Sequence, residues 1–349
     1  MKKFLTFAAM ATLALSSCNN DNDDVQGPVT DGDVIRFGAE AISVTTKAPY
    51  EGTISGSNPL KARILGSSTQ NNYGPGSIYT DNAGSRADGI ITFTDNGQTS
   101  SSFDTGVKWP TSNTTSIYFR GFYPSEDIWT VEQNSATADI DGKTDLMTAP
   151  EITGTKASVE QTPLVFKFSH LLTKLHVKVQ GNAVTADDWG NIKSIELSKA
   201  LNAAPNNQLG YTYNGNQVTT SGTATTIPFY LVTEGKTITY TDVAYTNQDY
   251  LVPSQAELVA YSLVAPVEAV KGNGGVNDEY TLKITTTKGQ ATSGREVAIN
   301  LKDVEGKDFV GSTAGKKFDI LIQFLSNGQI TASATVTDWV EGGTGTGQM

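Results

Sequence analysis

Apolar and polar residues alternate with a period of two along most of this chain, in short runs separated by clusters of glycine, asparagine, aspartate and serine. That period belongs to strands with one buried face, and turn residues recurring between the runs point to an all-β architecture of sandwiches. The first run, Val34–Ala39, sets Ile35 and Phe37 on one face, and Ile42 and Val44 continue it. Further strands are predicted around Arg63–Leu65, Gly89–Phe93, Ser116–Tyr123 and Ile128–Val131. A second series follows at Ile192–Leu197, Ile227–Leu231, Tyr250–Pro253, Tyr280–Ile284 and Val297–Leu301, with a turn at Asn214-Gly215.

Two stretches say more than the rest. In Pro163–Val179, the densest apolar segment, Leu164, Phe166 and Phe168 share one parity while Leu171, Leu175, Val177 and Val179 share the other. A one-residue change of phase keeps both halves facing a core only if a bulge or bend intervenes, and that bend is expected between His170 and Thr173. Near the end, Phe318, Ile320, Ile322 and Phe324 alternate with polar neighbours, Ser326-Asn327-Gly328 follows, and Ile330, Ala332, Ala334 and Val336 alternate again up to Trp339. Asn-Gly between two alternating runs is the strongest local signal for a β-hairpin.

The ends of the chain break this pattern. Lys2-Lys3, the apolar run Phe4–Leu15 and the small residues before Cys18 form a secretory leader, too short in its apolar part to span a bilayer. Small residues leading into a cysteine are the arrangement of a bacterial lipoprotein signal. Cys18, the single cysteine of the chain, then becomes an acylated membrane anchor. Acyl chains contribute about 0.8 kcal/mol per buried CH₂, so several on one residue hold a protein firmly. The expected organisation is a signal peptide at 1–17, a flexible acidic tether at 18–32, sandwich domains at 33–182 and 183–341, and a glycine-rich tail at 342–349.

Charge and composition narrow the function further. A formal net charge of -11 disfavours nucleic acid and anionic lipid surfaces as partners. Only two histidines, His170 and His176, are present, both inside the densest apolar stretch, where they read as structural residues of a sheet bend. No His-Glu-x-x-His, Gly-x-Ser-x-Gly or cysteine–histidine pattern occurs, and the Asp-Asn-Asp-Asp run at 21–24 lacks the glycine and distal glutamate of a calcium loop. No metal, no cofactor and no catalytic residue is therefore assigned. Trp109, Trp129, Tyr123 and Trp339 suit either a core or a sugar-binding face, with the core favoured by their place in alternating strands.

Taken in order, the lipoprotein signal, Thr46-Lys47-Ala48, Lys108-Trp109-Pro110, Gly121-Phe122-Tyr123-Pro124, Thr144–Ala149, Phe166–Leu175 and the closing hairpin resemble the fimbrillin family of Bacteroidia, across nearly the whole chain. The resemblance implies two transthyretin-like, Greek-key β-sandwiches and export as an acylated precursor to the outer membrane. It also implies proteolytic removal of the first strand after a basic residue, and assembly into surface fimbriae by strand donation between subunits. The displaced strand would carry Ile35, Phe37, Ile42 and Val44, and the cut would fall between Lys47 and Ala48. Family cuts commonly follow arginine, which leaves Arg63 as an alternative and an uncleaved anchor subunit as another. Donor residues implied by the resemblance are Phe318, Ile320, Ile322, Phe324, Ile330, Ala332, Ala334 and Val336, unless that hairpin only completes its own domain. The second functional reading is a surface lipoprotein that binds a glycan or host protein without polymerising.

Overall fold

The computed structural model describes residues 33–41, 50, 53–98, 100–159, 161–181, 185–201, 203–234, 238–248, 250–267, 280–299, 314–326 and 328–338. Apart from one short helix and one 3-10 turn, its regular structure is β throughout. The strands are β1 (Arg36–Ala41), β2 (Leu60–Ser67), β3 (Asp88–Phe93), β4 (Ser101–Ser102), β5 (Ile117–Tyr123), β6 (Thr130–Val131), β7 (Ser135–Asp139), β8 (Met147–Gly154), β9 (Val165–His170) and β10 (Thr173–Gln180). They continue with β11 (Asn191–Ala200), β12 (Gln208–Thr212), β13 (Gln217–Ser221), β14 (Ile227–Pro228), β15 (Tyr230–Glu234), β16 (Ile238–Ala244), β17 (Tyr250–Leu251) and β18 (Glu257–Val264). Last come β19 (Tyr280–Thr286), β20 (Arg295–Ile299), β21 (Lys316–Phe324) and β22 (Ile330–Asp338).

A seven-stranded sheet of order β3-β2-β5-β8-β9-β1-β4 builds the first half. It curls until its two edges meet, where the Ser101 hydroxyl donates to the Thr92 carbonyl at 2.9 Å. The inward residues of alternate positions, among them Ile64, Phe93, Phe119, Phe166 and Phe168, form one buried cluster. In the second half a six-stranded sheet of order β16-β15-β18-β10-β21-β22 faces a sheet of order β14-β11-β19-β20, to which β17 adds. Leu175, Val177 and Val179 from β10, Ile320 and Ile322 from β21, and Ile195, Leu282 and Ile284 opposite share a second buried cluster. Two sandwich-like bodies in an all-β chain are what the alternation predicted.

The change of phase at His170–Thr173 has a definite cause. β9 ends at His170 in the seven-stranded sheet and β10 starts at Thr173 in the six-stranded one, so the chain passes from one sheet to the other across Leu171-Leu172. Leu171 and Leu172 already belong to the second cluster. Between the halves lies a four-stranded sheet, β13-β12-β7-β6, in which β7 pairs antiparallel with β12 from Asp139↔Gln208 to Ser135↔Thr212. Trp129, Ala136 and Ala138 from this part of the first half consequently join the second cluster.

Arg120 on β5 fastens the same junction. Its guanidinium is buried and donates to the Tyr211 hydroxyl at 3.1 Å, to Asn216 Oδ1 at 3.0 Å and to the Tyr213 carbonyl at 3.3 Å. Three rings surround it, with centroids of Tyr73, Tyr211 and Tyr213 at 5.8, 5.4 and 5.0 Å. Weakly hydrated and planar, a guanidinium tolerates such an aromatic box where an ammonium would not.

Candidate functional site

The first strand occupies a slot rather than an edge. β1 runs parallel to β9, with Gly38↔Val165, Ala39↔Phe166 and Ala41↔Phe168 in register, and antiparallel to the short β4 on its other side. Further backbone bonds close the slot: Ile35 N–H donates to Val107 O at 2.9 Å, Trp109 N–H to Asp33 O at 2.7 Å, and Gly97 N–H to Ala39 O at 2.9 Å. Ile35, Phe37 and Ala39 are completely buried. The Phe37 ring meets Phe119 at 4.9 Å and Phe103 at 5.5 Å, both edge to face, and Phe166 at 5.3 Å. Extracting β1 would uncover an apolar floor and two rows of unpaired backbone groups, which is the state that invites a strand from elsewhere.

Of the residues singled out in sequence, Cys18, Ile42, Val44, Lys47 and Ala48 lie outside the described residues, whereas Ile35 and Phe37 fill this slot. Arg63 sits inside β2, paired to Ile90 of β3 on one side and Phe122 of β5 on the other, with its guanidinium on Asp88 at 3.0 Å. A protease would have to open that sheet to reach it. Three positions past Lys47, Tyr50 is buried, and its backbone N–H donates to Asp145 Oδ2 at 3.0 Å. The other oxygen of the same carboxylate takes His170 Nδ1 at 3.0 Å. This clamp joins the segments Thr144–Ala149 and Phe166–Leu175, and nothing in their spacing announces it.

The closing hairpin forms with the register Phe324↔Ile330 through Lys316↔Asp338. Gly328 takes a φ of 77°, and Leu325 and Gln329 close the turn through a 2.9 Å backbone bond. Its two arms differ in standing. β21 is an inner strand, parallel to β10 from Lys174↔Lys317 to Gln180↔Gln323, with Phe318, Ile320, Ile322 and Phe324 buried. β22 is the edge of the sheet. Ile330 and Ala334 are buried there and Ala332 is half-buried, while Val336 pairs with Phe318.

A family model described as fimbrillin-like matches residues 46–339. The chain belongs to the fimbrillin-like family. No curated protein matches it. Among solved structures, a candidate cell adhesion protein from Bacteroides uniformis shares 20% identity and a TM-score of 0.50, covering 89% of this chain and 99% of that one. Another, from Bacteroides ovatus, shares 12% identity and a TM-score of 0.51, covering 88% and 98%. A fimbrial protein from Bacteroides vulgatus shares 16% identity over 87% and 99%, with a TM-score of 0.48. At these identities the likeness of the first two speaks for the fold.

The remaining chemistry of this fimbrillin-like chain is structural in kind. His176 on β10 reaches the Tyr240 hydroxyl through Nε2 at 2.9 Å and Asp319 through Nδ1 at 3.3 Å. A neutral ring satisfies both, donating to the carboxylate and accepting from the phenol. Burial pushes its pKa down to about 4, the Asp319 hydrogen bond opposes that shift, and Lys174 adds to it. Lys174, with its ammonium 4.5 Å from the Tyr240 ring centre, is driven well below the usual lysine range by burial and then by the charge of Lys317. Burial works against ionisation of Asp319, yet the His176 hydrogen bond and the Lys317 charge hold it below the usual carboxylate range. Among the described residues no group of three or more His, Cys, Asp and Glu stands close enough to hold a metal, and no helix is long and apolar enough to cross a membrane. Trp109 and Trp129 are buried and Tyr123 is half-buried, so the two tryptophans are core residues; Trp339 lies outside the described residues.

Proposed function

We propose that this protein is a non-catalytic subunit of bacterial surface fimbriae, exported as a precursor acylated on Cys18 and matured by a cut between Lys47 and Ala48. Loss of the first strand then prepares it to accept a strand from a neighbouring subunit. The observation that carries this reading is the seat of β1: a strand whose inward side chains fill a slot between β9 and the segment containing β4. Family membership supports it. Arg63 is the poorer cut site because it is locked between β3 and β5. On the donating side, β22 is the arm that can leave its sheet without dividing it, whereas β21 is held between β10 and β22.

Mass spectrometry of fibres sheared from the cell surface tests the reading. A chain beginning at Ala48 is expected in the fibre, together with loss of the lipid. Recovery of the acylated full-length chain alone, never in a fibre, would overturn polymerisation and leave a surface lipoprotein.

A further inference from the structure

The slot that holds β1 has a steric requirement at one outward position. Along β1, Ile35, Phe37 and Ala39 point inward, so Arg36, Gly38 and Glu40 face the other way. Arg36 and Glu40 are half-buried, but Gly38 is buried although it faces outward. The cause is the backbone of Gly97 and Gln98, which crosses directly over it. A Cβ placed on Gly38 would lie 2.6 Å from Gln98 O, 2.9 Å from Gln98 C and 3.0 Å from Gly97 O. These neighbours are main-chain atoms, held there in part by the Gly97 N–H to Ala39 O bond, so they cannot swing aside as a side chain would. Glycine in a strand interior costs stability unless another backbone must come close, and here one does.

The same requirement applies to any strand that takes β1's place in its register. From this we infer that the slot selects a donor reading apolar, any residue, bulky aromatic, glycine, small residue, and that this donor is a strand of a different subunit. The inference rests on the strand-exchange reading above and names its partner. Backbone bonds to β9 supply affinity that is indifferent to sequence, so the three-phenylalanine pocket and the glycine position carry the discrimination. Within this sequence, an apolar residue, any residue, an apolar residue and a glycine occur in succession only at Ile35–Gly38. Both arms of the closing hairpin, Lys316–Phe324 and Ile330–Asp338, contain no glycine at all. The β22 arm of a second copy would drive a threonine or serine Cβ into the Gln98 carbonyl. Once its own Ile35–Gly38 has been cut away, assembly of the matured chain through this slot is therefore heterotypic, and a fibre made of the matured chain alone is excluded.

Two measurements on the full chain test the inference. In the first, Gly38→Ala should raise the rate of trypsin cleavage after Arg36 at least tenfold, while Glu40→Ala, which already has a Cβ at an outward position, stays within about twofold of the parent. In the second, labelled peptides are offered to the protein recovered from sheared cells. A peptide with the sequence of residues 33–41 should be retained, and the same peptide with alanine for Gly38, or a peptide of residues 330–338, should be retained at least tenfold less. Equal retention of all three, or an unchanged cleavage rate in Gly38→Ala, overturns the glycine rule and leaves strand exchange standing. Failure of every peptide to bind, with Gly38→Ala behaving as stated, overturns strand exchange itself and this inference with it. Should Gly38→Ala not fold, the peptide series decides alone.

Discussion

Phe37→Ala is the sharpest perturbation of the slot. The ring is fully buried and packs on three others, two of them edge to face at 4.9 and 5.5 Å. Truncating a buried phenylalanine costs about 3–5 kcal/mol through lost transfer energy and the cavity left behind. Edge-to-face pairs add roughly 0.5–1.5 kcal/mol beyond area, which places this site toward the upper part of that range. If β1 leaves as a unit, the loss falls on its seating equilibrium, and about 4 kcal/mol is close to a thousandfold. Native-state hydrogen exchange reads this directly. The Ile35 and Gly38 amides, bonded to Val107 O and Leu164 O at 2.9 and 2.8 Å, should lose two to three orders of magnitude of protection, on the order of that seating loss. Amides of β11 and β19 in the second sandwich should keep theirs. Two results would overturn this: protection at Ile35 and Gly38 changed less than tenfold, or equal loosening in β11 and β19, which would show that β1 cannot separate from the rest.

Three further perturbations address the clamp, the junction and pH. Asp145→Asn replaces a buried acceptor of two donors by a group that must turn an N–H₂ toward one of them, at an expected cost of about 2–3 kcal/mol in urea unfolding; a loss under about 1 kcal/mol would show that Tyr50 is not held by this carboxylate. Arg120→Met leaves the Tyr213 carbonyl and Asn216 Oδ1 without their cationic donor and should cost about 3 kcal/mol, with Arg120→Lys rescuing little because it lacks the planar fork; full rescue by lysine would reduce the site to its charge. For His176, the folded pKa of about 4 lies below the ordinary 6.5, so the unfolded chain binds more protons between those values and stability falls on acidification. Between pH 7 and pH 5 this amounts to about 2 kcal/mol, seen as a lower unfolding midpoint that His176→Gln should largely abolish.

Legibility of the fold in the sequence followed the locality of each interaction. The closing hairpin was readable because its signal, alternation around Asn327-Gly328, is contained in the segment that forms it, and the Asn214-Gly215 turn, with Gly215 at a φ of 79°, was readable for the same reason. The phase change near His170 was readable as an event, but a bend within a strand and a passage between two sheets leave the same parity trace. Unreadable were features with partners far along the chain: the pairing of β7 with β12, the Asp145–His170 clamp and the Arg120 box, whose members lie 25 to 96 positions apart. In β7 the inward residues are Ala136 and Ala138, too small to raise a hydrophobic signal over their polar neighbours. In β10, Lys174 and His176 interleave with Leu175 and Val177, and all four are buried.

The same distance in sequence explains why the slot and the hairpin belong together. Among the described strands two ladders are parallel, β1 on β9 and β21 on β10. Parallel neighbours need long connections, and both pairings join segments far apart in sequence, Gly38↔Val165 and Lys174↔Lys317. β9 and β10 are consecutive, joined by Leu171-Leu172, and together they make up the densest apolar stretch of the sequence. One continuous spine thus receives the first strand of the chain on its leading half and the closing hairpin on its trailing half. Other strands brace that spine independently of what docks on it, β8 on β9 and β18 on β10. On the strand-exchange reading proposed above, β9 therefore keeps β8 as a neighbour when β1 leaves. For the hairpin the two arms have different roles, because β21 pairs with β10 directly whereas β22, among the described strands, pairs with β21.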